Sequence, residues 1–244
     1  MKRILALLLC LLIASPAWGA ITFDNSGTCN PGGEGTSCTQ PFTASGSDRL
    51  LLVGVCVRNG AAAVSGVTYN AVAMTQYATV SGLGSDKLDI WRLIAPATGA
   101  NDVVVTMAAD SPFSVGISSY NGVDQTTPLG TSANATGAGG DPTVDVSSAA
   151  GELVIDYFCE DDGGATIPTM TAGTGQTARV NFTTSFGVPG FERNISSSEE
   201  AGAATVTMSW SDTAGNNWIT IGGPLKPAAA APASVRQRSV MILP

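Results

Sequence analysis

Residues 151–164 read GELVIDYFCEDDGG, and residues 49–60, about a hundred positions earlier, read RLLLVGVCVRNG. Laid over each other, Leu50 matches Leu153, Leu51 matches Val154, Leu52 matches Ile155, Cys56 matches Cys159 and Gly60 matches Gly163. Each is an apolar run rich in branched side chains, closed by a polar turn that carries glycine. That is the pattern of a buried β-strand.

Further matches extend from this pair. The first half reads as a strand over 49–58, a hairpin over 67–80 and strands over 86–95, 102–108 and 112–120. In the hairpin, VTYNAVAMTQ places Asn70-Ala71 at the turn. GVDQTTPLG and the Gly/Ala-rich 131–140 read as a long loop between halves. The second half then repeats the order: a strand over 151–160, a hairpin arm GTGQTARVNFTT, a loop FGVPGFERNISSSEE, a strand AATVTMSWSD and a last strand NNWITIGGPLKP. Its VTM at 206–208 matches the VTM at 105–107, and Ile219 and Ile221 fall where Val115 and Ile117 stood. Tandem duplication is the simple explanation, although any two sandwich strands share some of this periodicity. No stretch carries a sustained 3.6-residue pattern with caps. The fold class is therefore all-β: a two-sheet antiparallel β-sandwich, jelly-roll-like, built from two pseudo-repeated halves.

The ends read differently from the body. MKRILALLLCLLIASPAWGA has a basic start, a short apolar core and small residues at Ala17 and Gly19, which predicts a signal peptide over 1–19 cut after Gly19 or Ala20. The sandwich domain is expected over 20–226. From 227 a Pro/Ala linker leads to the basic-then-apolar tail VRQRSVMILP, whose Val240 to Leu243 could add as a strand to a sheet edge and so support self-assembly.

Losing Lys2 and Arg3 from 11 basic and 19 acidic residues leaves 9 against 19, a mature net charge of −10. An acidic surface without a basic cluster in the body argues against nucleic acid or an anionic membrane as partner. Charged residues make up 12% of the chain, about half the usual share, so Ser, Thr, Asn and Gly must fill the exposed positions. The chain has no histidine, which excludes Ser-His-Asp and Cys-His catalysis and His-ligated zinc or copper. Cys29, Cys38, Cys56 and Cys159 follow the signal peptide, and an even count in an oxidising compartment favours two disulfides. Equivalent positions in two halves related by a two-fold axis meet only near that axis. That predicts Cys56 bonded to Cys159, if the twin strands lie side by side, and leaves Cys29 with Cys38 as a staple. Strands in separate sheets would stand roughly 10 Å apart, too far to bridge.

Candidates for chemistry are few. Glu160, Asp161 and Asp162 before Gly163-Gly164 offer hard oxygens for calcium, although their spacing fits no specific calcium motif and a solvated loop is the simpler reading. Asp156 and Glu160 share a strand face but lie about 13 Å apart along it, too far for a retaining or an inverting glycosidase pair. The strand also lacks the ExDxE run of concanavalin-like glucanases. Trp210 reads as core. Trp218, set opposite in parity to Ile219 and matched with Ser114, is the best candidate for an exposed ring that stacks on a ligand, followed by Tyr120 and Tyr157. Sequons stand at Asn134, Asn181 and Asn194.

The run SSYNGVDQTTPLG, with RLLLVGV, VTYNAVAMTQ, LDIWRLIAP, GELVIDYF and WITIGGPLKP, resembles a widespread, largely uncharacterised β-sandwich family of exported bacterial proteins and phage structural or fibre proteins. The resemblance covers about 45–226. It implies a jelly-roll-like sandwich used as a surface or binding module and supplies no catalytic residues to carry over. Together with the composition, the expected ligand is a surface glycan or protein, the role binding, adhesion or assembly, and no cofactor is expected beyond calcium. Two functions therefore stand: an exported, non-enzymatic binding module, and a glycan-active enzyme of concanavalin-like fold.

Overall fold

The computed structural model describes residues 19–58, 62–82, 86–161, 170–184, 192–211 and 216–229. Over these residues the chain is all-β, with antiparallel sheets packed face to face. The antiparallel sandwich packing expected from the sequence is present, in more layers than the two sheets expected. Each half contributes a sandwich of its own, and the two stand back to back as four layers.

The first half runs β1 (Thr22–Cys29), β2 (Glu34–Ala44), β3 (Leu50–Val57), β4 (Val64–Tyr69), β5 (Val72–Ala73), β6 (Thr75–Ser81), β7 (Lys87–Ile94) and β8 (Gly99–Asn121). β8 is 23 residues long and serves two sheets. Its first part pairs with β2 and β4, and its second part pairs with β1 and β3. The stretches 102–108 and 112–120, read as two strands from the sequence, are thus one strand that changes sheets between them. This gives an outer sheet β2-β8-β4-β5 and an inner sheet β6-β7-β3-β8-β1.

The second half runs β9 (Ala133–Ala138), β10 (Thr143–Ser147), β11 (Leu153–Asp161), β12 (Thr171–Ala172), β13 (Thr177–Thr184), β14 (Arg193–Ala201), β15 (Thr205–Ser211) and β16 (Asn217–Leu225). Its inner sheet is ordered β13-β14-β11-β16-β9, the order of the first half's inner sheet strand for strand, and its outer sheet is β10-β15-β12. The likeness reaches a local irregularity. The β6–β7 ladder skips Tyr77, and the β13–β14 ladder skips Arg179, its counterpart. A bulge is a position-specific device, so its recurrence at one place argues for an internal repeat more strongly than shared periodicity does.

Two expectations need correction. Part of 131–140, expected as a loop, forms β9 at an edge of the inner sheet. The stretch RNISSSEE, also expected as a loop, forms β14 between β13 and β11. β14 lacks an apolar run, and two of its buried serines have partners of their own: Ser196 Oγ donates to Asn194 Oδ1 at 2.6 Å, and Ser198 donates to Asp156 Oδ1 from N at 2.8 Å and from Oγ at 2.7 Å. Asn70 and Ala71 do form the hairpin turn, both left-handed at φ 50° and 59°. Holding alanine there costs about 1–2 kcal/mol.

Alternate residues of β3 divide between two cores. Leu51, Val53, Val55 and Val57 face the first outer sheet with Phe42, Val67, Tyr69 and Val105. Leu50, Leu52 and Cys56 face the second half with Tyr157, Cys159, Ile195, Ile219 and Ile221. At this central layer the two halves are not alike. A Cβ on Gly54 would stand 2.3 Å from the Tyr157 ring, and one on Gly82 would stand 2.4 Å from Ile219. By ladder register Gly54 is the counterpart of Tyr157, so the repeat has diverged into a cleft on one side and a ring that fills it on the other. The Tyr157 hydroxyl shares a hydrogen bond of 2.7 Å with Ser118 Oγ.

Both predicted disulfides are present, Cys29–Cys38 and Cys56–Cys159. The second forms by a route other than side-by-side strands. β3 and β11 lie in facing sheets, and these converge to a Cα separation of 5.6 Å at the two cysteines, well inside the usual spacing of about 10 Å. The small residues Gly54, Ser114 and Gly116 on the first half's face permit that approach.

The ends of the described chain meet. Gly19 N donates to Ala228 O at 3.2 Å, Ala228 N donates to Gly122 O at 2.8 Å, and Pro227 bridges to Val123. Bonds to the body thus run two residues past the expected boundary at 226, while 230–244 and all of the expected signal peptide but Gly19 lie outside the described residues. Truncation after Ala229 should leave the thermal midpoint within a degree or two, whereas truncation after Leu225 should lower it clearly. A midpoint that fell with the first truncation would show that the tail completes the fold.

Candidate functional site

The structure removes the predicted ligand-stacking rings from the surface. Trp218 is 9% exposed, Tyr120 1% and Tyr157 0%. Trp218 packs with Phe158, Met170 and Trp210 inside the second sandwich, and its Nε1 donates to Gly139 O at 3.2 Å. Sequence matching set it against Ser114, but the ladders place Trp218 opposite Glu160 and Phe113 opposite Val57. Its counterpart is therefore Phe113, a core residue. A slip of one residue exchanges the faces of a strand, and that slip turned a core tryptophan into an exposed one. Tyr120 lies edge-on to Phe23 at 5.9 Å, with its hydroxyl pushed well above the usual range by burial and by Glu199. Burial likewise raises Tyr157.

The acidic strand β11 departs from its twin in charge as well as at Tyr157. Where β3 turns Val53 and Val57 into its sandwich, β11 turns in Asp156 and Glu160, both 0% exposed. Asp156 Oδ2 accepts from Trp210 Nε1 at 2.7 Å, and Oδ1 accepts both Ser198 bonds. The carboxylate thus ties the inner sheet to the outer strand β15. Burial raises its pKa from the ordinary 3.8 to about 6, against the lowering effect of the Ser198 and Trp210 hydrogen bonds. Glu160 Oε1 accepts from Asn216 Nδ2 at 2.8 Å. Of the expected calcium ligands, Glu160 is thus buried and bonded, while Asp162 and the Asp161 side chain lie outside the described residues. Among the described residues no cluster of three or more acidic or cysteine ligands is formed. The neighbouring strip is also self-satisfied: Asn194 Nδ2 donates to Asn181 Oδ1 at 3.2 Å and to Thr183 Oγ1 at 3.0 Å. With Asn194 0% exposed, that sequon is not open to glycosylation in the folded chain.

Open polar surface lies elsewhere, on the solvent face of the first outer sheet. There a recess of about 530 Å³ is lined by residues that include Pro41 of β2, Thr68 of β4, the turn residue Asn70, and Asn101, Asp102 and Val104 of β8. Asn101 Nδ2 is anchored on Tyr69 Oη at 3.3 Å and on Gly99 O at 3.3 Å. At the edge of the same sheet Val72 is 51% exposed, the one large hydrophobic so placed among the described residues; it pairs with Tyr69 and so faces away from the recess. Sequence reasoning missed this site because its members come from separate strands and share no motif.

No family model, curated protein or solved structure matches the chain. No helix among the described residues is long and apolar enough to cross a membrane.

Proposed function

We propose that this chain is an exported, non-enzymatic β-sandwich module that binds a surface glycan or protein, in the manner of the adhesion and structural modules its sequence resembles. One contrast carries the reading. The carboxylates that could do chemistry are withdrawn from solvent and bonded to their neighbours, Asp156 three times over, whereas the recess on the first outer sheet is open and lined by polar and small apolar residues alike. Two disulfides suit an oxidising compartment. The rigid four-layer body suits display of a surface better than closure around a substrate.

The test is a glycan and surface-protein array probed with the mature protein, with and without calcium, beside a hydrolysis assay on the same glycans. Binding without turnover is expected, at equal strength in both calcium conditions. A glycosidase activity lost in Asp156→Asn or Glu160→Gln, with the thermal midpoint retained, would instead establish the enzyme.

A further inference from the structure

The geometry points to the recess bounded by Asn70, Asn101 and Asp102 as the seat for one or two pyranose residues of a neutral glycan. This rests on the reading of the chain as a binding module and narrows its ligand class. Three features select the ligand.

The first is the sense of the hydrogen-bonding groups. Asn101 stands opposite the buried Phe42, so its side chain turns to the core face of β8, where its amide N–H groups go to Tyr69 Oη and to the carbonyls of Thr98 and Gly99; the side chain that β8 turns to the recess beside it is that of Asp102. The exposed Asp102 carboxylate makes no ion pair or side-chain hydrogen bond among the described residues. Asp102, which leaves the solvent face of β8 opposite Pro41, is an acceptor that favours a ligand rich in hydroxyl donors, and Thr68 and Asn70 can both give and take.

The second is charge. No lysine or arginine lines the recess, so an anionic ligand would meet Asp102 unopposed. A lone carboxylate is also too few hard ligands for a divalent cation. The third is the apolar part of the lining. Pro41, Ala71, Ala100 and Val104 are small and leave room, which suits the C–H face of a sugar ring. The volume falls in the usual range for small-ligand sites. The left-handed turn at Asn70-Ala71 sets the Asn70 backbone at the edge of the recess. With no aromatic ring to stack on, binding should be weak, with Kd on the order of 1 mM.

The experiment titrates the mature protein with cellotriose, maltotriose and triacetylchitotriose, and with 3′-sialyllactose as the anionic control, followed by NMR shifts or calorimetry. At least one neutral trisaccharide should bind and sialyllactose should not. Asp102→Ala and Asn70→Gly, which keeps the turn, should each weaken binding about tenfold with the thermal midpoint unchanged. If a neutral trisaccharide binds equally well in both variants, the seat is elsewhere; the inference falls and the binding-module reading stands. The inference also falls if none of the three binds at about 10 mM, and the array then decides the module reading by itself.

Discussion

Replacing Cys56 and Cys159 together by alanine should lower the unfolding free energy by up to about 4.7 kcal/mol, the chain-entropy value for a closed loop of about a hundred residues. The bond joins positions 103 apart in sequence, so in its absence the unfolded chain regains nearly half its length in conformational freedom. The same replacement at Cys29 and Cys38, 9 apart, should cost about 2.7 kcal/mol on the same model. Denaturant unfolding of the two double variants under oxidising conditions checks the ranking. The inter-half variant should still unfold in one transition, because Leu50, Leu52, Tyr157 and Ile221 belong to a core that both halves share. Equal losses from the two variants would show that packing at Gly54 and Tyr157 already restrains the halves without the bond.

Much of the architecture was readable from β3 and β11. An eight- or nine-residue apolar run can be buried on both faces only between two layers, and both runs are so buried. The cysteine pairing followed from their equivalence, although the sheets that carry them face each other instead of sharing an edge. What escaped was whatever depended on side-chain partners. β14 reads as a polar loop because NISSSEE contains a single aliphatic residue. Its burial is made tolerable by Asp156, Asn181 and Gln176, which lie far away in sequence. Periodicity reports a strand whose buried face is apolar, and it is silent about one whose buried face is hydrogen-bonded.

The candidate site was hidden for a related reason. Contrary parity marks a lone aromatic as exposed only where the register is right, and at Trp218 the register is off by one. The recess depends on Pro41 standing opposite Asp102 across one ladder while Thr68 stands opposite Val104 across another. No local pattern encodes that juxtaposition. Only the turn at Asn70-Ala71 was visible beforehand, and it was read for its backbone and not for the amide it presents.

Asp156 makes the second sandwich less stable as pH rises. Its carboxyl is fully buried and its pKa is raised from 3.8 to about 6, so the folded state binds the proton more tightly than the unfolded state. The contribution is therefore complete below pH 3.8 and is lost as pH climbs through about 6. At roughly 1.4 kcal/mol per pH unit the loss is about 3 kcal/mol by neutral pH. Asp24 and Asp124, whose pKa values are lowered, act in the opposite sense over the acidic range, so the raw pH profile mixes the three. Asp156→Asn isolates the one, since it cannot ionise and still offers an oxygen to Trp210 Nε1. Unfolding free energies of both proteins at pH 3.5 and pH 7 give the comparison. The variant should gain on the wild type by about 3 kcal/mol between the two conditions, whatever fixed penalty the amide carries against Ser198. A difference that stayed level with pH would mean that the bonds from Ser198 and Trp210 offset the burial in full, and that β11 holds a carboxylate at no cost where β3 holds a valine.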